Sequence, residues 1–212
     1  TDFSVLGQPF PEGVSLFSAA STISDDGNFV GGFYANGDFD FRGFISDMNG
    51  DTITLLDPIL AGHENVFISG ARGLSGDGSV AVGNSVDTDL PAPTGDRAFR
   101  HTGGSGIVHL PLLDGGTWNQ AKGVTQDGQV VLLAGDSTEY PLGEIYLHNS
   151  DDDSITRFGS PDANAVPLLL MGMTSPVSAV VGAFEDAGDG SVTSYVLNGQ
   201  GWFRLDEVVV GL

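Results

Sequence analysis

The sequence predicts an all-β protein, a β-propeller built from four-stranded antiparallel blades. Three observations lead there. One phrase recurs four times at a period of about fifty residues, the mark of a repeat architecture. Glycine supplies 32 of 212 residues yet is scattered as punctuation and never gathered into a low-complexity tract. No segment carries a capped apolar stripe of helical period, so helix is expected to be scarce.

The phrase is clearest as ARGLSGDGSVAVGNS from Ala71. Its counterparts are AASTISDDGNFVGGFY from Ala19, AKGVTQDGQVVLLAGDS from Ala121 and LMGMTSPVSAVVGAFE from Leu170. Alignment puts Asp26, Asp77, Asp127 and Pro176 in one column, stepping along the chain by 51, 50 and 49 residues. Each copy opens on a strand with a small residue (Ala20, Gly73, Gly123, Gly172), as expected where innermost strands crowd a common axis. Asp-Gly then turns the chain in the first three copies, and a two-residue hairpin with positive φ is expected there. Ser175-Pro176 demands another turn type in the fourth.

The second strand reads SVAVG or QVVLLAG, a nearly continuous apolar run that fits a strand covered on both faces. An aromatic-bearing third strand follows: FRGFISD, DRAFRHT, EIYLHNS and TSYVLNG. Tight turns at Asn49-Gly50, Gly103-Gly104 and Asn198-Gly199 lead to the fourth strand: DTITLLDPI, GIVHLPLL, SITRFGSP and GWFRLDEVV. The chain therefore reads as one propeller domain, 1–212, with units at 17–65, 66–118, 119–164 and 165–212. Residues 1–16 resemble a fourth strand with its exit loop and are expected to form an extra outer strand, whose edge is a route to self-association.

Charge bounds the partners. Twenty-eight acidic residues against 7 basic ones give a formal net charge of -21, which repels nucleic-acid phosphate and anionic lipid. No apolar run reaches the length of a membrane span. There is no cysteine, which removes disulfides, thiolate catalysis and thiolate zinc sites.

Candidate sites sit in the long connections between second and third strands. SVDTDLPAPTGD places Asp87, Asp89 and Asp96 in one irregular loop, a pattern of hard oxygen donors suited to calcium. NGDFDF, NSDDDS and EDAGDG are acidic loops of the same kind. Variable loops on one face of a radial scaffold are where binding surfaces are built. Tyr34, Phe39 and Tyr140 are the expected contact residues there, for a protein or a carbohydrate. His101 and His148 share one column of the third strand, which fits a packing position between blades. His109 stands in no spacing relation to another candidate. Neither Ser85 nor Ser137 lies on a nucleophile elbow, since no helix follows. Trp118 and Trp202 are expected to pack.

At these residues the chain resembles the HAF-type extracellular repeat of bacterial secreted and surface proteins. ARGLSGDGSVAVGNS with DRAFRHTGGSGIVHLPLL is the best-matching copy, and AKGVTQDGQVVLLAGDS the next. The usual tryptophan position is filled by Ile45, His101, His148 and Leu197. The resemblance implies a propeller-like fold and a secreted or cell-surface location, and it carries over no catalytic residues. Three functional readings result: a non-catalytic extracellular repeat protein for adhesion, binding or assembly; a calcium-assisted glycan-binding module; and a secreted hydrolase with an axial acidic site.

Overall fold

A computed structural model of the chain describes residues 17–35, 41–49, 52–56, 66–87, 95–174 and 176–206. The first sheet holds β1 (Phe17–Ile23), β2 (Phe29–Ala35), β3 (Phe41–Asp47) and β4 (Ile53–Leu56). The second holds β5 (Val66–Leu74), β6 (Val80–Asp87), β7 (Asp96–Thr102) and β8 (Gly106–His109). The third holds β9 (Asn119–Val124), β10 (Val130–Gly135), β11 (Glu144–Asn149) and β12 (Ser154–Gly159). The fourth holds β13 (Ala165–Met173), β14 (Ala179–Asp186), β15 (Val192–Asn198) and β16 (Gly201–Arg204).

Every sheet is an antiparallel meander in chain order, as the repeat grammar predicts. Successive sheets meet through their first strands, β1 with β5, β5 with β9 and β9 with β13, so these are the inner strands of a radial array. The expected outer strand over 1–16 lies outside the described residues.

Strand alternation explains the apolar runs. On β10, Val131 and Leu133 face the second sheet in a cluster with Val80, Val82 and Tyr146. The intervening Leu132 and Ala134 face the fourth sheet, with Ile145, Val180 and Phe184. A strand pressed from both sides needs no polar face, and each fully buried Val or Leu contributes about 1.5–3 kcal/mol. The first and second sheets meet likewise over Ile45, Leu56, Ala71, Leu74, Ala81 and Phe99. Asn119 is fully buried, accepts from the Ala98 N–H at 2.7 Å, and donates to the Pro111 carbonyl at 2.9 Å and the Tyr146 hydroxyl at 3.1 Å. Burial pushes the Tyr146 hydroxyl pKa up to about 12.

The Asp-Gly turns differ from the two-residue hairpin expected of them. Ser24 N–H bonds the Phe29 carbonyl and Gly27 N–H bonds the Ser24 carbonyl, both at 2.9 Å, so the loop is residues 25–28. Only the glycine is left-handed: Gly27, Gly78 and Gly128 have φ of 72, 69 and 74°, while none of the three aspartates has positive φ. The reason is a side-chain relay. Asp77 accepts from the Ser79 N–H at 3.0 Å and the Ser75 hydroxyl at 2.8 Å, and Ser75 in turn accepts from the Val80 N–H at 2.9 Å. Ser24 with Asp26, and Thr125 with Asp127, repeat the pattern. The aspartate thus closes an Asx-type turn that satisfies backbone donors. In the fourth copy Thr174 alone does the work, accepting from Ser178 N–H at 2.8 Å and Ala179 N–H at 3.1 Å.

The turns also nest into one another. Asp26 N–H bonds the Gly76 carbonyl at 3.0 Å, and Gly76 N–H bonds the Gln126 carbonyl at 2.7 Å, linking three successive blades. Phe29 packs against Gly78 and Val80 against Gly128, in each case the residue after one turn covering the glycine of the next. Replacing Gly78 with Ala combines a left-handed backbone with a clash on Phe29, and about 2–4 kcal/mol of destabilisation is expected in urea melts. Gly103, whose Cβ would meet nothing, should tolerate alanine within about 0.5 kcal/mol. The bonds to Asp77 hold its pKa down at about 2. A depressed carboxylate stabilises the fold above its unfolded pKa and loses that contribution as pH falls from about 4 to about 2. Acid titration of Asp77→Asn should show a shallower loss across that window than wild type.

Candidate functional site

Each inner strand carries a β-bulge at the same level. Pairing skips Ser21 between Ala20 and Thr22, Arg72 between Ala71 and Gly73, Lys122 between Ala121 and Gly123, and Met171 between Leu170 and Gly172. A bulge leaves one residue out of the ladder and re-aims its side chain. The cause is crowding. A Cβ on Gly73 would stand 3.0 Å from the Gly123 Cα, and one on Gly31 would stand 3.0 Å from the Ala71 Cβ. At Gly73 a side chain has no room against Gly123, and in those two strands the long side chain stands on the extra residue. Two of the four displaced residues are cations.

The surroundings of Lys122 are polar and enclosed. Its ammonium donates to the Gln120 side-chain carbonyl at 2.6 Å, and the Gln120 amide donates to the Asp96 carboxylate. Burial, then the nearby charge of Arg72, lowers the Lys122 pKa to about 8, against a smaller opposing pull from Asp96. Arg72 is exposed and has no ion-pair partner among the described residues.

A second polar constellation stands at the β10–β11 connection. Glu144 is fully buried and Arg157, on β12, grips it with two bonds, Nε to Oε2 at 2.9 Å and Nη2 to Oε1 at 2.5 Å. The Ser137 hydroxyl adds a bond to Oε1 at 2.6 Å, and exposed Glu139 lies 3.1 Å from the guanidinium. The two carboxylates and these bonds raise the Arg157 pKa, the Glu144 bond most. Tyr140 completes the loop. Its N–H bonds Ser137 Oγ at 3.1 Å and its ring lies 6.0 Å from the guanidinium carbon.

The residues anticipated from sequence are dispersed. Tyr34 is 5% exposed, clustered with Val30 and Phe44, because it shares their face of the first sheet. Phe39 lies outside the described residues, so Tyr140 alone of the three is described at a loop. Asp96 opens β7 and is 8% exposed; its carboxylate meets Gln120, and burial raises its pKa. Asp87 ends β6 and Asp89 lies outside the described residues. Among the described residues no three His, Asp or Glu side chains group as metal ligands.

One pair was not anticipated: Ser85 Oγ and His109 Nε2 are 3.1 Å apart. Ser85 is 1% exposed, and burial, then the nearby charge of Arg97, lowers the His109 pKa. The pair lacks both an accessible hydroxyl and an orienting carboxylate, so it is an interior hydrogen bond. His148 is 3% exposed, with Nε2 at 3.3 Å from Asp153 but outside hydrogen-bonding geometry. Trp118 packs between the third and fourth sheets. Trp202 packs edge-on to Phe184 and donates to the Phe158 carbonyl at 3.1 Å.

Neither a family model nor a curated relative matches the chain. Solved structures do. A TolB-type protein from Agrobacterium tumefaciens superposes with a TM-score of 0.63 at 16% identity, over 86% of this chain and 62% of that one. TolB from Acinetobacter baumannii gives 0.62 at 10%, over 89% and 42%. The β-propeller domain of the Trilobed protease from Pyrococcus furiosus, described as having an open velcro topology, gives 0.52 at 9%, over 92% and 58%. The chain thus spans less than two thirds of these proteins' lengths, and the likeness establishes a β-propeller fold. Among the described residues no helix is long and apolar enough to cross a membrane.

The Glu144–Arg157 pair makes a separable prediction. Arg157→Met strands a buried carboxylate and should cost about 2–3 kcal/mol, below the fully buried range because the arginine side chain is 39% exposed. Adding Glu144→Leu to it should restore stability to within about 1 kcal/mol of wild type, measured by chemical denaturation.

Proposed function

We propose that this β-propeller is a non-catalytic module of an exported bacterial protein, serving adhesion, binding or assembly through its loop face. The observation that carries the reading is the engagement of the buried carboxylate, serine and histidine groups among the described residues. The most buried carboxylate among the described residues, Glu144, is consumed by Arg157 and Ser137, and Ser85 and His109 are turned inward. Acidic side chains at the inter-strand turns are spent on backbone donors. What remains outward is recognition chemistry, with Tyr140 braced over Arg157 on a loop fixed by Ser137. The repeat phrase and its HAF-type resemblance support export, and the strongly acidic balance supports solubility outside the cell.

The second reading is calcium-assisted glycan binding, favoured by the spacing of Asp87, Asp89 and Asp96. A glycan array probed with and without calcium tests both. Retention of a discrete glycan set that Tyr140→Ala abolishes, without shortening of the glycans by mass spectrometry, is the expected result. Cleaved products would overturn the non-catalytic reading. A melting midpoint that chelator leaves unchanged from its value in millimolar calcium would remove the cation.

A further inference from the structure

The inner bulges hold a charge arrangement that stability alone does not explain. Only 7 of the 212 residues are basic, against 28 acidic ones. Yet Arg72 and Lys122 occupy equivalent bulges on adjoining inner strands, each directly before one of the glycines, Gly73 and Gly123, at which the two backbones meet. Two neighbouring cations repel, and burial raises the cost of the lysine's charge. In so acidic a chain a carboxylate partner for each would be easily found, but Arg72 has none among the described residues. The local acid, Asp96, is engaged by Gln120. With Asp96 ionised, the three groups sum to a single positive charge.

We propose that Arg72 and Lys122 bind the carboxylate of a small monoanionic ligand at the inner edges of the second and third blades. The guanidinium fork donates to both carboxylate oxygens, as its planar geometry favours. The Lys122 ammonium supplies a further donor, held in place by Gln120. The balance of one net charge matches one carboxylate. The field of a chain with net charge -21 disfavours more highly charged anions such as inorganic phosphate or polyuronates. This site lies on the inner strands and not on the β10–β11 loop, so its failure leaves the loop-face reading standing.

The test is a titration of the ¹⁵N-labelled full chain, followed by amide chemical shifts, with four probes: glucuronate, N-acetylalaninate, inorganic phosphate and glucose. Saturable shifts centred on Arg72 and Lys122 are expected with at least one carboxylate, and none with glucose. The carboxylate that binds more tightly tells a sugar acid from a peptide terminus. Arg72→Gln and Lys122→Gln should each weaken binding about tenfold, the usual loss for a charge-assisted hydrogen bond. Wild-type affinity should also fall as pH rises past about 8, where free Lys122 loses its proton, and Lys122→Gln should lack that fall. Arg72 is exposed, so its variant keeps the test valid if Lys122→Gln does not fold. Absence of saturable shifts with both carboxylates, or undiminished binding in the folded variants, overturns the site. Phosphate binding more tightly than either carboxylate overturns the ligand class.

Discussion

The architecture depends on how closely the inner strands approach. At Gly73 and Gly123 two strands from different sheets meet backbone to backbone, and at Gly31 and Ala71 a methyl group is all that fits. That contact sets the distance between blades at the centre, and the other features follow from it. Sheets held so close bury both faces of their second strands, hence the unbroken run at Val131 to Ala134. Where the backbones meet no side chain fits at Gly73, and a bulge recurs beside the small residue of each inner strand.

Charge is distributed by the same geometry. All seven basic residues lie within strands: Arg42, Arg72, Arg97, Arg100, Lys122, Arg157 and Arg204. Acidic residues crowd the connections, where Asp26, Asp77, Asp127, Asp152 and Asp189 each accept from a backbone N–H two residues on. These aspartates have lowered pKa values chiefly through hydrogen bonds, with a smaller contribution from His148 at Asp152. The few positive charges are thereby left for other tasks. One, Arg157, neutralises a buried carboxylate; another, Arg100, reaches across to the Gly128 carbonyl of the next blade at 3.2 Å.

Much of this was legible in the sequence because it is local. The period, the four-strand grammar and the two-faced second strands all rest on spacing within a copy. The turn was half legible: Asp-Gly marked its place, but the hydroxyl at Ser24, Ser75, Thr125 and Thr174 that organises it went unread, although it stands two residues before the aligned column in every copy. The bulges were not legible. They occupy one column, but Ser21, Arg72, Lys122 and Met171 share no chemistry, since what defines the position is the crowding of its neighbours. Glu144 with Arg157, Ser85 with His109, and Asn119 with Tyr146 join residues on different strands, and pairing across strands leaves no fixed spacing to find. The aromatic expectation at Tyr34 gave way to strand parity, which places that ring beside Phe44.

The nesting of turns has a direction: the first and second blades each lay a side chain over the glycine of the next and donate a backbone N–H to its turn. Head and tail of every module are therefore complementary but different, like links that couple only one way. A duplicated module inserted in frame would find both of its neighbours already shaped to receive it. Such a chain can lengthen or shorten by whole modules in evolution, with no new interface to invent. Only a copy whose turn has drifted, as Pro176 and Val177 have from Asp-Gly, would resist being placed in the middle of the series.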